Sequence, residues 1–234
     1  MMRHAFAAAA LLAAAPLAAQ STTQDDISAR YDRALAAGYK ALFLCSAIAN
    51  AERNGTTRTP ESVAAWELTG IQSPLDSVVH DLPYTIDRDS DGEIRQVVVE
   101  WAGDMPPRIA VHDSRRGCSQ LPIGGAPHPI RTKRPRINVE HGDSVVPVGA
   151  LSRSVEQAFG ETHGNGTRTT AVLVQRGGTV LGERYAPGFG PAVPQRTWSV
   201  AKSIAATLVG AAVLEGHAEV GRSAGLGSAP NDPR

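Results

Sequence analysis

Between residues 27 and 51 the apolar positions recur every three or four residues. Tyr31, Leu35, Tyr39, Leu42 and Cys45 fall on one helical face. The pattern predicts an amphipathic helix with Cys45 turned to the core; Gly38 weakens it without ending it. Thr59-Pro60 opens a shorter helix running to residue 68, with proline in the first position, where its missing N–H is no loss. The period then changes. Apolar, β-branched runs at 78–86, 94–101 and 108–112 read as three strands. Between the first two, Asp87, Asp89, Asp91 and Gly92 imitate the start of an EF-hand loop, but the position that needs a bidentate Glu is Val98. A hairpin turn on Asp91-Gly92 is therefore expected. Residues 151–159 read as another short helix. Residues 170–176, the pair Gly177-Gly178 and residues 179–185 form the clearest hairpin in the chain.

The stretch 197–214 has a different character. No proline interrupts it, and from Ala205 to Leu214 its only polar side chain is Thr207. A helix apolar on nearly every side is expected to lie in a core, covered all round. Thr197 is its expected N-cap, and Gly216 stands where a left-handed residue would close it. In its first turn Ser199 and Lys202 are three residues apart, so their side chains share a face about 5–6 Å apart at Cβ.

Composition adds limits. The 234 residues carry 23 basic and 23 acidic side chains, a balance that argues against a nucleic-acid partner. The basic residues Arg131, Lys133, Arg134 and Arg136 lie within a Pro- and Gly-rich connector and read as a solvated linker. Arg3 and His4 precede an apolar run from Ala5 to Ala15, followed by Pro16 and the small-residue ending Leu17-Ala18-Ala19. This is the layout of a cleaved signal peptide over 1–19, and it predicts a secreted or periplasmic protein with no stable membrane span after cleavage. Export gives meaning to the only two cysteines, Cys45 and Cys118. A bridge between them, favoured over two buried thiols, would close a loop of 73 residues. His112, His128, His141 and His163 stand singly, as surface or turn residues. No metal or cofactor is expected.

Chemistry centres on Ser199 and Lys202. A lysine in the first turn of a buried helix loses hydration and faces the positive end of the helix dipole; both effects favour the neutral amine. A neutral amine beside a hydroxyl can act as its general base, and the amides at the same helix start can hold an oxyanion. The competing reading is a surface lysine extended into solvent, because a two-residue pattern is weak by itself.

Ser199-x-x-Lys202 at the head of a long apolar helix resembles the first signature of the serine β-lactamase and penicillin-binding-protein superfamily. The neighbouring text narrows the resemblance: Ala171 to Gly178, Glu183 to Phe189, Trp198 to Ser203, Leu208-Val209-Gly210 and Glu215-Gly216. These stretches, over 170–216, look like the β-lactamase-related serine hydrolases that include aminohexanoate-dimer hydrolases and related esterases. A looser likeness covers 36–117, where Gly38, Cys45-Ser46 and Gly117-Cys118 match an N-terminal region carried by one branch, which strengthens the expected Cys45–Cys118 bridge.

The resemblance implies an α+β fold, an antiparallel sheet with packed helices. Its expected divisions are a signal (1–19), an N-terminal α/β segment (20–120), a linker (121–150) and the start of the catalytic domain (151–234). It implies acyl transfer by Ser199 with Lys202 as base, on a small ester, linear amide or β-lactam. It also implies two further motifs downstream, Tyr-x-Asn or Ser-x-Asn and then Lys-Thr-Gly or His-x-Gly. After Lys202 there is no tyrosine, and His217 is not followed by the required glycine; Tyr185 lies upstream and reads as a strand residue. The Gly-, Ala- and Ser-rich text after Gly216, ending at Asn231-Asp232-Pro233-Arg234, reads as the first portion of a longer hydrolase, a fragment without turnover of its own. The alternatives are a penicillin-binding-type carboxypeptidase or true β-lactamase, and a non-catalytic exported binding module.

Overall fold

The computed structural model describes residues 3–126 and 144–222. The chain forms two compact units, the first ending at Pro194 and the second beginning at Gln195. Arg131, Lys133, Arg134 and Arg136, together with His128, His141 and the closing Asn231 to Arg234, lie outside the described residues.

In the first unit, helix α1 (Arg3–Arg53) carries an antiparallel meander of four strands. These are β1 (Tyr84–Arg88), β2 (Ile94–Val99), β3 (Arg108–Asp113) and β4 (Gly117–Gln120), in chain order. The molecule is thus α+β, an antiparallel sheet with packed helices. The apolar leader region is helical and runs without a break into the amphipathic stretch. From Thr23 to Arg53 the helix is long and apolar enough to cross a membrane by length and composition, where no span is expected after the signal. Yet 56% of its apolar window is buried inside the protein, as in a soluble core helix.

The buried stripe of α1 differs from the expected one. Tyr31 and Leu35 are exposed, and Tyr39 stacks on Phe43 at the margin of the core. The α1 residues in the core with the sheet are Ala36, Ala37, Ala41, Leu44, Cys45 and Ile48. Small side chains win this face because the sheet comes close. The Gln120 side-chain amide reaches the Gly38 carbonyl, and a Cβ on Gly38 would lie 2.8 Å from that amide nitrogen. Ile94, Val97 and Val99 of β2, with Ala110 and Trp101, close the core from the other side. Each fully buried aliphatic side chain contributes about 1.5–3 kcal/mol.

Cys45 and Cys118 form the expected disulfide, tying α1 to β4 across 73 residues. The expected hairpin at 87–92 is also present. One oxygen of Asp89 accepts the N–H groups of Asp91 and Glu93, and Gly92 supplies φ +80°. That aspartate closes the turn. In the β3–β4 turn, N–H groups of Arg115 and Arg116 hold the Asp113 carboxyl below the usual carboxylate range.

The expected strand at 78–86 is corrected. Residues Leu75–Val78 form α3, Val79–Asp81 a 3-10 turn, and β1 begins only at Tyr84. Leu75, Val79 and Leu82 turn into the core as a helical face would. The carbonyls left over at the end of this turn are met by a lysine. Lys40, 4% exposed, donates to the carbonyls of His80 (2.8 Å) and Leu82 (2.7 Å). Burial pushes the Lys40 amine below its ordinary value, with the Asp81 carboxylate opposing.

Helix α2 (Pro60–Trp66) starts as expected, with Thr59 Oγ1 accepting the Ser62 N–H at 3.1 Å. Further on, α4 (Gly149–Phe159) and the hairpin of β5 (Ala171–Arg176) and β6 (Thr179–Tyr185) agree with the pattern read from the sequence. Gly177 and Gly178 both take positive φ, the requirement of a tight two-residue turn. This hairpin is its own two-stranded sheet. The segment before α4 runs along β6, where Glu183 N–H donates to the Val145 carbonyl at 2.7 Å. Gly182 permits the contact, since a Cβ there would sit 2.9 Å from the Pro147 Cα.

The chain after β6 returns to α2 through a buried arginine. Arg58 pairs with Glu67 at 3.1 Å and donates to the Pro194 carbonyl at 3.0 Å. Its guanidinium lies over the Phe189 ring, which meets Trp66 edge-on, and Asn54 holds the Ala192 carbonyl.

Candidate functional site

In the second unit, Ser199 and Lys202 stand at the head of α5 (Val200–Leu214). Lys202 Nζ donates to Ser199 Oγ at 3.1 Å. The contact follows from helical geometry, because residues three apart in one turn face the same way. Three consecutive bonds build that turn: Val200 N–H to Thr197, Ala201 N–H to Trp198 and Lys202 N–H to Ser199.

The N-cap is Ser199, where Thr197 was expected, and its side chain makes no capping bond. Its backbone, at φ −70° and ψ −5°, is already helical. A serine cap ordinarily has extended backbone and turns its oxygen onto the second or third helical amide. Here the reversal happens one residue earlier, at Trp198, whose φ of 46° is the only positive value among the described non-glycine residues. A left-handed backbone costs a bulky L-residue about 1–2 kcal/mol. The Arg196 guanidinium lies 4.0 Å over the Trp198 ring and offsets part of that cost. Neither Trp198 nor Arg196 was singled out from the sequence for such a role. The available signal was an arginine two residues before an aromatic side chain, next to the nucleophile candidate.

At its far end the helix closes as the sequence indicates. Gly216 at φ 77° donates to Val213, and His217 N–H donates to Ala212, the paired bonds of a Schellman motif.

The expectation of a covered helix is not met. No residue of α5 is buried; Leu208 is 66% and Leu214 89% exposed. Ser199 and Lys202 are exposed as well. Periodicity announces that a helix is apolar all round, but a cover must come from elsewhere, and the described part of the second unit supplies none. Lys202 is thus exposed where burial was expected.

The other candidates belong to the first unit. Tyr185 is a strand residue of β6, and its hydroxyl donates to Glu183 Oε2 at 2.6 Å. Its phenol is pushed up to about 12, first by desolvation, then by that hydrogen bond and the Glu183 charge. His112 lies in β3 with Nδ1 3.1 Å from the Ile94 carbonyl, and His163 is exposed. Among the described residues no group of three His, Cys, Asp or Glu side chains is arranged to hold a metal ion. Family models, curated proteins and solved structures give no match to this chain.

Proposed function

We propose that this chain carries the nucleophile end of an exported serine hydrolase of the β-lactamase-related type. The observation behind the reading is the 3.1 Å hydrogen bond from Lys202 Nζ to Ser199 Oγ at a helix start. In that reading a neutral Lys202 takes the Ser199 proton as Oγ attacks an acyl carbonyl. The tetrahedral oxyanion is held by amides at the head of α5. Its collapse expels an alcohol or amine, leaving an ester on Ser199 that water then cleaves. The substrate class is a small acyl compound, namely an ester, a linear amide or a β-lactam. The apolar N-terminal helix and the Cys45–Cys118 disulfide support an exported, oxidising location. Burial of α5 by a cover would supply the desolvation that Lys202 needs as a base.

Labelling is the test, because it reads nucleophile and base without the downstream motifs. A fluorophosphonate probe should add to the full chain at Ser199, located by peptide mass mapping. Ser199→Ala should abolish the adduct, and Lys202→Met should slow it about 10²–10⁴-fold. An adduct that survives Ser199→Ala, or a rate indifferent to Lys202→Met, refutes the assignment. Stable labelling by penicillin would favour the penicillin-binding or β-lactamase alternative.

A second reading, a non-catalytic exported module, is favoured by one observation. The buried part of the protein is the disulfide-stapled sheet on α1, whereas Ser199 and Lys202 are exposed. A folded chain that takes no probe at Ser199 would decide for it.

A further inference from the structure

We propose that Arg196 and Trp198 are positioning residues for Ser199: the arginine clamps the tryptophan in its left-handed conformation, and that conformation presents the serine oxygen to Lys202. The inference rests on the reading of Ser199 and Lys202 as nucleophile and base.

Four observations carry it. Trp198 has φ 46°, a conformation that L side chains other than Asn and Asp seldom adopt. The next residue, Ser199, is the N-cap of α5 yet has helical backbone and caps nothing with its side chain. Its Oγ instead accepts from Lys202 Nζ at 3.1 Å. The Arg196 guanidinium covers the Trp198 ring at 4.0 Å, and Trp198 is 52% exposed.

These facts form one chain of causes. A serine that entered the helix from an extended backbone would turn its hydroxyl onto the Ala201 or Lys202 amide, the ordinary capping bond. That bond would compete with Lys202 Nζ for the same oxygen. Placing the reversal at Trp198 makes Ser199 helical before the helix starts, so Oγ points along the face it shares with Lys202. A strained residue beside a reactive group persists only where its surroundings hold it. Here the holder is Arg196, two residues earlier, stacked on the ring by charge and area together.

The test reads the geometry directly and separates the two layers of the proposal. In the otherwise native chain, whose own cysteines are bridged, Ser199→Cys places a titratable thiol at the site, followed by the ultraviolet absorbance of its thiolate. Lys202→Met in this background should raise the thiol pKa, because the amine that takes the thiol proton and then pairs with the thiolate is lost. Trp198→Ala and Arg196→Met should each raise it by a similar amount, and the double variant no further. Trp198→Phe, which keeps a ring for the arginine, should restore the lower value. In the Ser199 protein, Trp198→Ala should slow fluorophosphonate labelling about 10²-fold, the scale of an ångström-level misplacement. Circular dichroism of the helices should be unchanged.

If Lys202→Met leaves the thiol pKa unmoved, the Ser199–Lys202 reading itself fails. If Lys202→Met shifts it but Trp198→Ala and Arg196→Met do not, the clamp is refuted while the pair stands.

Discussion

Arg58 shows what a single buried charge does in this protein. Its side chain is 1% exposed and Glu67's is 5%; their contact links the two ends of α2, and Arg58 also donates to the carbonyl of Pro194. Desolvating two ions is costly, so such a pair adds little against an apolar replacement, yet losing one partner exposes the full cost of the other. Arg58→Met should therefore destabilise the first unit by about 3–5 kcal/mol in urea unfolding, because it removes the guanidinium beside a buried carboxylate. Arg58→Met with Glu67→Leu should recover most of that loss. Equal destabilisation in single and double variants would show that the pair is not the cause. Lys40 belongs to the same class. It was hidden in the sequence reading because its position in α1 looks like any helical lysine, and its partners are carbonyls forty residues away.

Among the elements, the disulfide and the β5–β6 hairpin carry the clearest expectations. The bridge joins α1 to β4, the last strand of the sheet, and closes 73 residues. In the chain-entropy account its removal costs about 4 kcal/mol. The Cys45→Ser, Cys118→Ser double variant should show that loss as a lower urea midpoint of the first unit.

The hairpin should respond to pH. Tyr185 is held protonated to about 12 when folded, against an ordinary 10.0. Between those values the unfolded chain releases a proton that the folded chain keeps. The contribution of Tyr185 is thus intact below pH 10, declines as pH rises, and is gone above about 12. Tyr185→Phe should remove this alkaline decline, measured as unfolding free energy across that range; an unchanged slope would place the titration elsewhere. This hairpin was readable in the sequence because a Gly-Gly turn and alternating strands are local signals. The strand expected at 78–86 failed because a short apolar run fits a buried helical turn as well as a strand.

For the molecule as a whole, the uneven burial matters most. One unit has a stapled core, while the described part of the other is an apolar helix with no buried residue. Val200, Ile204, Leu208, Val209 and Leu214 are all more than half exposed. A surface of this kind binds apolar dyes and associates. The purified chain should enhance the fluorescence of an anilinonaphthalene dye, and Leu208→Lys should lower that signal and raise solubility. A dye response unaffected by Leu208→Lys would locate the apolar surface outside α5.

Local chemistry alone determined much of this protein. It gave the hairpin turns at Gly92 and Gly177-Gly178, the Thr59 cap, the Gly216 closure and the approach of Lys202 to Ser199, because each involves groups a few residues apart. The cysteine pair was legible for a different reason, since only one pairing exists within the chain. Tertiary structure decided the rest. It chose the alanine stripe of α1 over the tyrosine stripe, because close packing against a sheet selects by size as well as apolarity. It coiled residues 75–81 into helical turns, buried Lys40 and Arg58 against distant carbonyls, and left every residue of α5 unburied. Each of these depends on which surfaces meet, and a linear pattern of apolar positions carries no record of the partner.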